Sequence, residues 1–280
     1  VALSNDFAEK GYVTASIEYR VGMWPIDSTN SIKAVIRAVQ DLKAAVRFFY
    51  KDRSTSDTYK IDTTKIFIGG SSAGAITALH MEYLDKTCEA EEYLTASELT
   101  ALGGVDGTSG NPGYSTDVAG VINLCGALAR YGYIESGDAP FVSMHGNNDG
   151  TVPYNRGIAN VSGFNIMYLD GSRAIADQAA AVNVQNNFYT YYDQGHVPHA
   201  TSAQSMDTTI NFVRDFLIEQ LGCTDAALQA ANTPVETANL YPLSFCGLDV
   251  TANTMDFVNS IYPNPAKTNI TLEFKVDANY

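Results

Sequence analysis

The run Lys65-Ile66-Phe67-Ile68-Gly69-Gly70-Ser71-Ser72-Ala73-Gly74 constrains the fold more than any other part of this chain. A short apolar stretch ends in paired glycines, and a helical pattern follows from Ala73 to Leu84 with almost no connection between them. A strand that turns this sharply into a helix opens a βα unit, whose helix must pack back onto a sheet. The rest of the chain keeps that rhythm. A long amphipathic helix is expected at 31–50, where Ile32, Val35, Ile36, Val39, Leu42, Val46 and Phe49 recur at spacings of three and four. Short apolar strands are expected at 118–124, 140–144, 164–169 and 188–192, with helices at 173–182 and 206–221. Ser172 is the expected N-cap of the first of these helices, and Gly222 closes the second. Near the start, a short helix ends at Gly11, and the β-branched, aromatic run Tyr12–Tyr19 reads as another strand. Strands alternating with helices predict an α/β protein, a mostly parallel sheet with helices on both faces.

Two segments break the rhythm. Cys88 to Asp117 is acidic and then rich in turn residues, and is expected to be a rim loop. After about Thr224 the α/β pattern stops, and Ile261 followed by alternating Ile270, Leu272, Phe274 and Val276 predicts a separate β element.

Composition narrows the partners. Hydrophobic residues are 45% of the 280, enough for a large core. Lys and Arg number 17 against 31 Asp and Glu, a net charge of −14. Such a surface repels phosphate backbones and anionic lipid, so nucleic acid and membrane surfaces are excluded as partners. No run approaches the roughly 18 apolar residues of a spanning helix. The cysteines Cys88, Cys125, Cys223 and Cys246 fit no metal-ligand spacing, and no metal or organic cofactor is implied. The four cysteines allow three disulfide pairings, among which the sequence does not choose; Cys223 and Cys246 bracket a polar segment and are one candidate pair, with Cys88 and Cys125 then partly buried thiols.

Gly70-Ser71-Ser72-Ala73-Gly74 is a G-x-S-x-G match placed between a strand and a helix. Small residues two away on each side leave room for a strained turn at Ser72, and the turn presents Ser72 at a helix N-terminus. There the Ala73 N–H faces any developing oxyanion. A serine needs a base and the base an orienting acid, in the chain order Ser, acid, His for this type of turn. Of the four histidines, His80 lies inside the following helix, and His145 precedes the candidate acid at a strand end. His196 and His199 both follow the 188–192 strand; His196, nearer the strand and after Gly195, is the expected base. Asp149 is the expected acid, because it follows the 140–144 strand and so falls at the same sheet edge. Asp138 precedes that strand, and Asp170 is a competitor after the next one. Ser72, His196 and Asp149 together predict acyl transfer to water. Ser71, Tyr114, Tyr131 and Tyr133, with the loop 103–117, lie on connections near this edge and are candidate substrate contacts or rim residues.

These residues also carry a resemblance. Phe67-Ile68-Gly69-Gly70-Ser71-Ser72-Ala73-Gly74-Ala75 resembles the nucleophile turn of carboxylesterases in the α/β-hydrolase superfamily. His145-Gly146-x-x-Asp149-x-x-Val152-Pro153 is similar to their acid loop and Gly195-His196 to their histidine loop. The helix carrying Asp41, Ala45, Arg47 and Phe48 is similar to the one preceding the nucleophile strand. The resemblance spans residues 1–222 and implies a serine ester hydrolase acting on a small or polymer-borne ester. It also implies that Val1–Lys10 and Tyr12–Tyr19 are the helix and fourth strand of that fold. The early strands and the second oxyanion donor are then expected outside these residues, making this an N-terminally truncated domain. A prolyl-oligopeptidase-like peptidase shares fold and residue order, and a non-catalytic, esterase-like surface binding module is the reading from another class. The run Ile261-Tyr262-Pro263-Asn264-Pro265-Ala266 resembles the start of the C-terminal sorting domain of type IX secretion substrates. That implies contact with a secretion machinery and a secreted or cell-surface protein. The expected organisation is 1–222 catalytic, 223–255 linker and 256–280 the start of the sorting domain.

Overall fold

A computed structural model describes residues 2–108, 110–223, 231, 232, 234, 238, 240, 241, 258–262 and 271–274. The chain divides into two units, Val1–Ser244 and Phe245–Tyr280. In the first, α1 (Ala2–Glu9) buries Phe7 among Phe212, Val213 and Phe216. The long α2 (Ser28–Ser54) begins a turn earlier than its apolar pattern, because the Asp27 carboxylate accepts the Asn30 N–H at 2.7 Å and caps it. Its buried face carries Ile36, Val39 and Val46, each removing about 1.5–3 kcal/mol worth of apolar side chain from water.

The strand–turn–helix unit is β1 (Phe67–Ser71) followed by α3 (Ala73–Tyr83). Next, α4 (Thr87–Glu91) and α5 (Ala96–Leu102) fall in the first half of what was expected to be a rim loop. Thr95 and Glu98 form a capping box that starts α5, a signal inside the acidic run. Then come β2 (Gly120–Leu124), the short β3 (Ala127–Leu128) and β4 (Phe141–Gly146). The antiparallel hairpin β5 (Arg156–Val161) and β6 (Phe164–Gly171) leads into α6 (Ser172–Ala181), β7 (Asn186–Tyr191) and α7 (Ala203–Gln220).

Strands β1, β2, β4 and β7 form one parallel sheet in that order, so all four carboxyl ends lie along one edge. Close spacing at β1 depends on Gly69, where a Cβ would fall 2.5 Å from the Ile122 Cβ. The packing on this sheet is one large cluster around Val39, Leu79, Val121 and Phe141 and another around Val142, Met144 and Phe216.

Four expectations need correction. The 164–169 strand is not in the parallel sheet; it pairs with β5 and β3 in a second, antiparallel sheet. Ser162 and Gly163 both take positive φ, of 53° and 87°, which is the chemistry of a two-residue hairpin turn. Tyr12–Tyr19 is not a strand: it pairs with nothing among the described residues and is largely exposed. β propensity without a ladder partner leaves backbone groups to water. Ser172 is not an N-cap but the first residue of α6, with Gly171 before it, and its hydroxyl turns into the core. Finally, Cys223 is a free, exposed thiol, whereas Cys88 is disulfide-bonded; Cys125 is free and buried.

Beyond α7, Asn232 donates to the Thr190 carbonyl and accepts the Thr190 N–H, both at 2.7 Å, so its amide substitutes for a neighbouring strand on β7. Tyr241 donates to Asp170 at 2.6 Å. In the second unit, β8 (Val258–Tyr262) and β9 (Thr271–Phe274) pair antiparallel. Cys246, the run from Pro263 to Ala266, Ile270 and Val276 lie outside the described residues. Among the described residues no helix is long and apolar enough to cross a membrane.

Candidate active site

Three turns leaving the carboxyl edge of the parallel sheet supply the site, and sheet order brings them together. The first follows β1. Ser72 holds φ 54° and ψ −118°, a left-handed conformation costing on the order of 1–3 kcal/mol in a residue with a Cβ. Gly70 permits it, since a Cβ there would lie 2.5 Å from the Gly74 carbonyl carbon. The Ser72 N–H donates to the Leu124 carbonyl at 2.8 Å, pinning the turn to the end of β2. Ala73 is exposed at the first position of α3, where N–H groups have no intrahelical acceptor.

The second turn follows β4 and carries Asp149, whose side chain is wholly buried. Its Oδ1 accepts the Thr151 and Val152 N–H groups at 2.8 and 3.0 Å. Its Oδ2 accepts from His196 Nδ1 at 2.6 Å and from His145 Nε2 at 3.0 Å. Burial alone would raise this carboxyl, but the donors from His145, His196 and Thr151 outweigh it and hold the group well below the usual carboxylate range.

The third turn follows β7 and carries His196. Its Nε2 accepts the Ser72 hydroxyl at 2.8 Å, completing a chain from Ser72 through His196 to Asp149. The second and third turns are laced together. Asn147 and Asn148 donate backbone N–H to the Tyr191 and Gln194 carbonyls at 3.2 and 2.9 Å, and the Asp193 N–H donates to Asn147 Oδ1 at 2.6 Å. His199, the other histidine of this loop, is buried and pairs instead with Ser71, Nε2 to Oγ at 3.1 Å. Burial, and then the nearby His196, lower its pKa.

The remaining candidates lie elsewhere. His80 is buried in α3, donating from Nδ1 to the Ile76 carbonyl and accepting the Ala129 N–H at Nε2. Asp138 accepts the Glu135 N–H, and Asp170 is buried against Arg156, Tyr131 and Tyr241. Cys125, His145 and Asp149 bring ligand-type atoms within 4.8 Å of one another. A cation there would displace the N–H donors of Asp149 and need a thiolate from Cys125, whose thiol burial pushes up to about 12. The set suits hydrogen bonding better than metal binding.

An apolar cavity of about 320 Å³ opens beside Ser72 and Ala73, walled by Ile32 and Val35 of α2, Ile76 of α3, and Ile166 and Met167 of β6. Of the expected substrate contacts, Tyr133 lines it, whereas Ser71, Tyr114 and Tyr131 do not. Ser71 is turned toward His199, Tyr131 is buried with its hydroxyl on the Tyr241 carbonyl, and Tyr114 is not in the cavity wall. The β5–β6 hairpin supplies that wall, and its place was not visible in a pattern taken for a parallel strand. Two further participants, His145 and Ser172, gave only weak signals: a His-Gly before the acid and a serine resembling a cap.

Residues 1–104 match the family described as BD-FAE. Esterase 2 of Thermogutta terrifontis is similar in structure. Its form phosphonylated by cyclosarin has a TM-score of 0.51 at 17% identity, covering 72% of this chain and 69% of that one. Its apo form has a TM-score of 0.51 at 16% identity, over 75% and 72% of the two chains. A truncated carbohydrate esterase from gut microbiota has a TM-score of 0.48 at 20% identity, over 73% of each. No curated protein sequence matches the chain. The fold is that of the α/β-hydrolases, a mostly parallel sheet flanked by helices.

Proposed function

We propose that this protein is a serine hydrolase cleaving carboxylic esters through an acyl-enzyme. The observation that carries the reading is the unbroken chain from Ser72 Oγ to His196 Nε2 at 2.8 Å and from His196 Nδ1 to Asp149 Oδ2 at 2.6 Å. Ser72 attacks the ester carbonyl while its proton passes to His196 Nε2. Asp149 fixes the tautomer that leaves Nε2 free to accept, and stabilises the imidazolium that forms. The Ala73 N–H donates to the oxyanion at the positive end of α3. His196 then returns the proton to the departing alcohol, and water repeats the sequence on the acyl-enzyme.

The match of residues 1–104 to BD-FAE and the likeness to esterase 2 support an ester over other acyl substrates. The cavity beside Ser72 suits an uncharged, apolar portion of that substrate. The likeness of the Ile261–Ala266 run to a sorting domain supports an exported protein that meets its secretion machinery through the tail.

The test is p-nitrophenyl acetate hydrolysis with labelling by a fluorophosphonate probe. Wild-type protein is expected to show a burst and to carry the label on Ser72. Ser72→Ala is expected to lose about 10³-fold or more in rate and to take no label. Equal rates for the two proteins overturn the proposal.

A further inference from the structure

We infer that His145 is a positioning residue for this reaction: its Nε2–H holds the Asp149 carboxylate as a second imidazole donor and shares Oδ2 with His196. The inference rests on the Ser72, His196 and Asp149 roles proposed above.

Geometry fixes a proton on one nitrogen of His145. Its Nε2 faces two acceptors, Asp149 Oδ2 at 3.0 Å and the Val152 carbonyl at 3.1 Å, so that nitrogen must carry a proton. Its Nδ1 meets the Ser172 hydroxyl at 2.7 Å. Ser172 in turn accepts from Asn123 Nδ2 at 2.9 Å and lies 3.2 Å from the Gly126 carbonyl. Asn123 Nδ2 also donates to Ser143 Oγ at 2.7 Å. Asn123, Ser143, His145 and Ser172 all have zero exposure. A polar network of this extent inside a hydrophobic sheet orients something, because each buried group must otherwise recover its lost hydration. Here it ends on the carboxylate that orients His196.

The consequence is electrostatic as well as steric. Two N–H donors on one oxygen divide its charge, so Asp149 stabilises the His196 imidazolium less than a carboxylate bonded to His196 alone. The other titratable groups facing this cluster are Cys125 after β2, His199 beyond His196, and Tyr154 and Tyr191. The Tyr154 ring meets His145 edge-on at 5.8 Å. Burial holds the Cys125 thiol protonated and pushes Tyr191 up to about 12, so neither changes charge near neutral pH. Burial, and then the nearby His196, lower His199.

The experiment compares pH profiles of p-nitrophenyl acetate turnover for wild type, His145→Leu and His145→Gln. His145→Leu is expected to move the acid-limb midpoint upward by about half to one pH unit and to lower kcat about tenfold, with KM little changed. His145→Gln retains an N–H donor and is expected to return the midpoint toward wild type. An unmoved midpoint in His145→Leu, or the same shift in Leu and Gln, overturns the inference. Should the leucine variant fail to fold, histidine ¹⁵N spectra of the wild-type protein decide. His145 Nε2 is expected to carry a proton across the pH profile, and an unprotonated Nε2 overturns the inference. If wild-type protein takes no fluorophosphonate on Ser72, it is the underlying hydrolase reading that fails.

Discussion

Ser71 Oγ and His199 Nε2 lie 3.1 Å apart, tying the residue beside Ser72 to the loop that carries His196. The tie sits one residue from one partner of the Ser72–His196 hydrogen bond and three from the other. It restrains their separation without touching either group. His199→Ala is expected to lower kcat about tenfold with KM within about twofold, since loosening a positioned base costs rate more than binding. Steady-state kinetics on the ester decide, and unchanged kcat would show the tie to be dispensable.

Gly146 ends β4 against the histidine loop, and a Cβ there would lie 2.4 Å from both the Gln194 and Gly195 carbonyl oxygens. These are backbone atoms and can yield only by moving the loop. Gly146→Ala is therefore expected to push His196 away from Ser72 and lower kcat by about 10²-fold. Circular dichroism should show the helices intact. Wild-type turnover in a folded Gly146→Ala protein would contradict the placement of that loop.

His80 gives the fold a sensitivity to acid. Burial lowers it from 6.5 to about 4, so the unfolded chain takes up a proton that the folded one refuses. The stability tied to this group is full above 6.5 and is lost as pH falls through about 4, by up to about 3 kcal/mol. Between pH 7 and 4.5 the urea midpoint of wild type should lose ground relative to that of His80→Gln, because only wild type carries this group. An equal slope in both proteins would place the acid sensitivity elsewhere.

Glu89 acts in the opposite direction. Burial pushes it up to about 7 despite the Lys86 N–H that its Oε2 accepts at 3.1 Å. A raised carboxyl favours the folded state fully below 4.5, and that contribution is lost as pH rises through about 7. Glu89→Gln keeps the volume and the acceptor but sheds the buried charge. It is expected to gain about 2 kcal/mol at pH 8 and nothing at pH 4, read from thermal or urea unfolding.

The thiols separate by environment. Cys223 is exposed, while burial raises Cys125 to about 12 and leaves it no thiolate near neutrality. Iodoacetamide at pH 8 should label Cys223 in the folded protein and reach Cys125 only in denaturant. Mass spectrometry of the peptides reads this directly, and rapid labelling of Cys125 would contradict its burial.

Much of this molecule was legible residue by residue. The turn at Gly70–Gly74, the long α2 and the strands at β2, β4 and β7 each depend on local spacing, and local spacing is what a sequence displays. Ser72, Asp149 and His196 each lie on a turn that follows a strand, and parallel strands place their carboxyl ends on one edge, so spacing alone makes them candidates. What escaped depends on partners distant in the chain. Tyr12–Tyr19 has strand composition but no ladder, and Phe164–Gly171 has strand composition but the wrong ladder. Ser172 resembles a cap, yet its hydroxyl is claimed by His145 and Asn123, 27 and 49 residues away. By itself the sequence determined which elements form and which side chains can do chemistry, because periodicity and turn chemistry act over a few residues. Only the tertiary structure decided which carboxylate, imidazole and hydroxyl meet within 3 Å, because those distances are set by sheet order and by packing against a buried polar network.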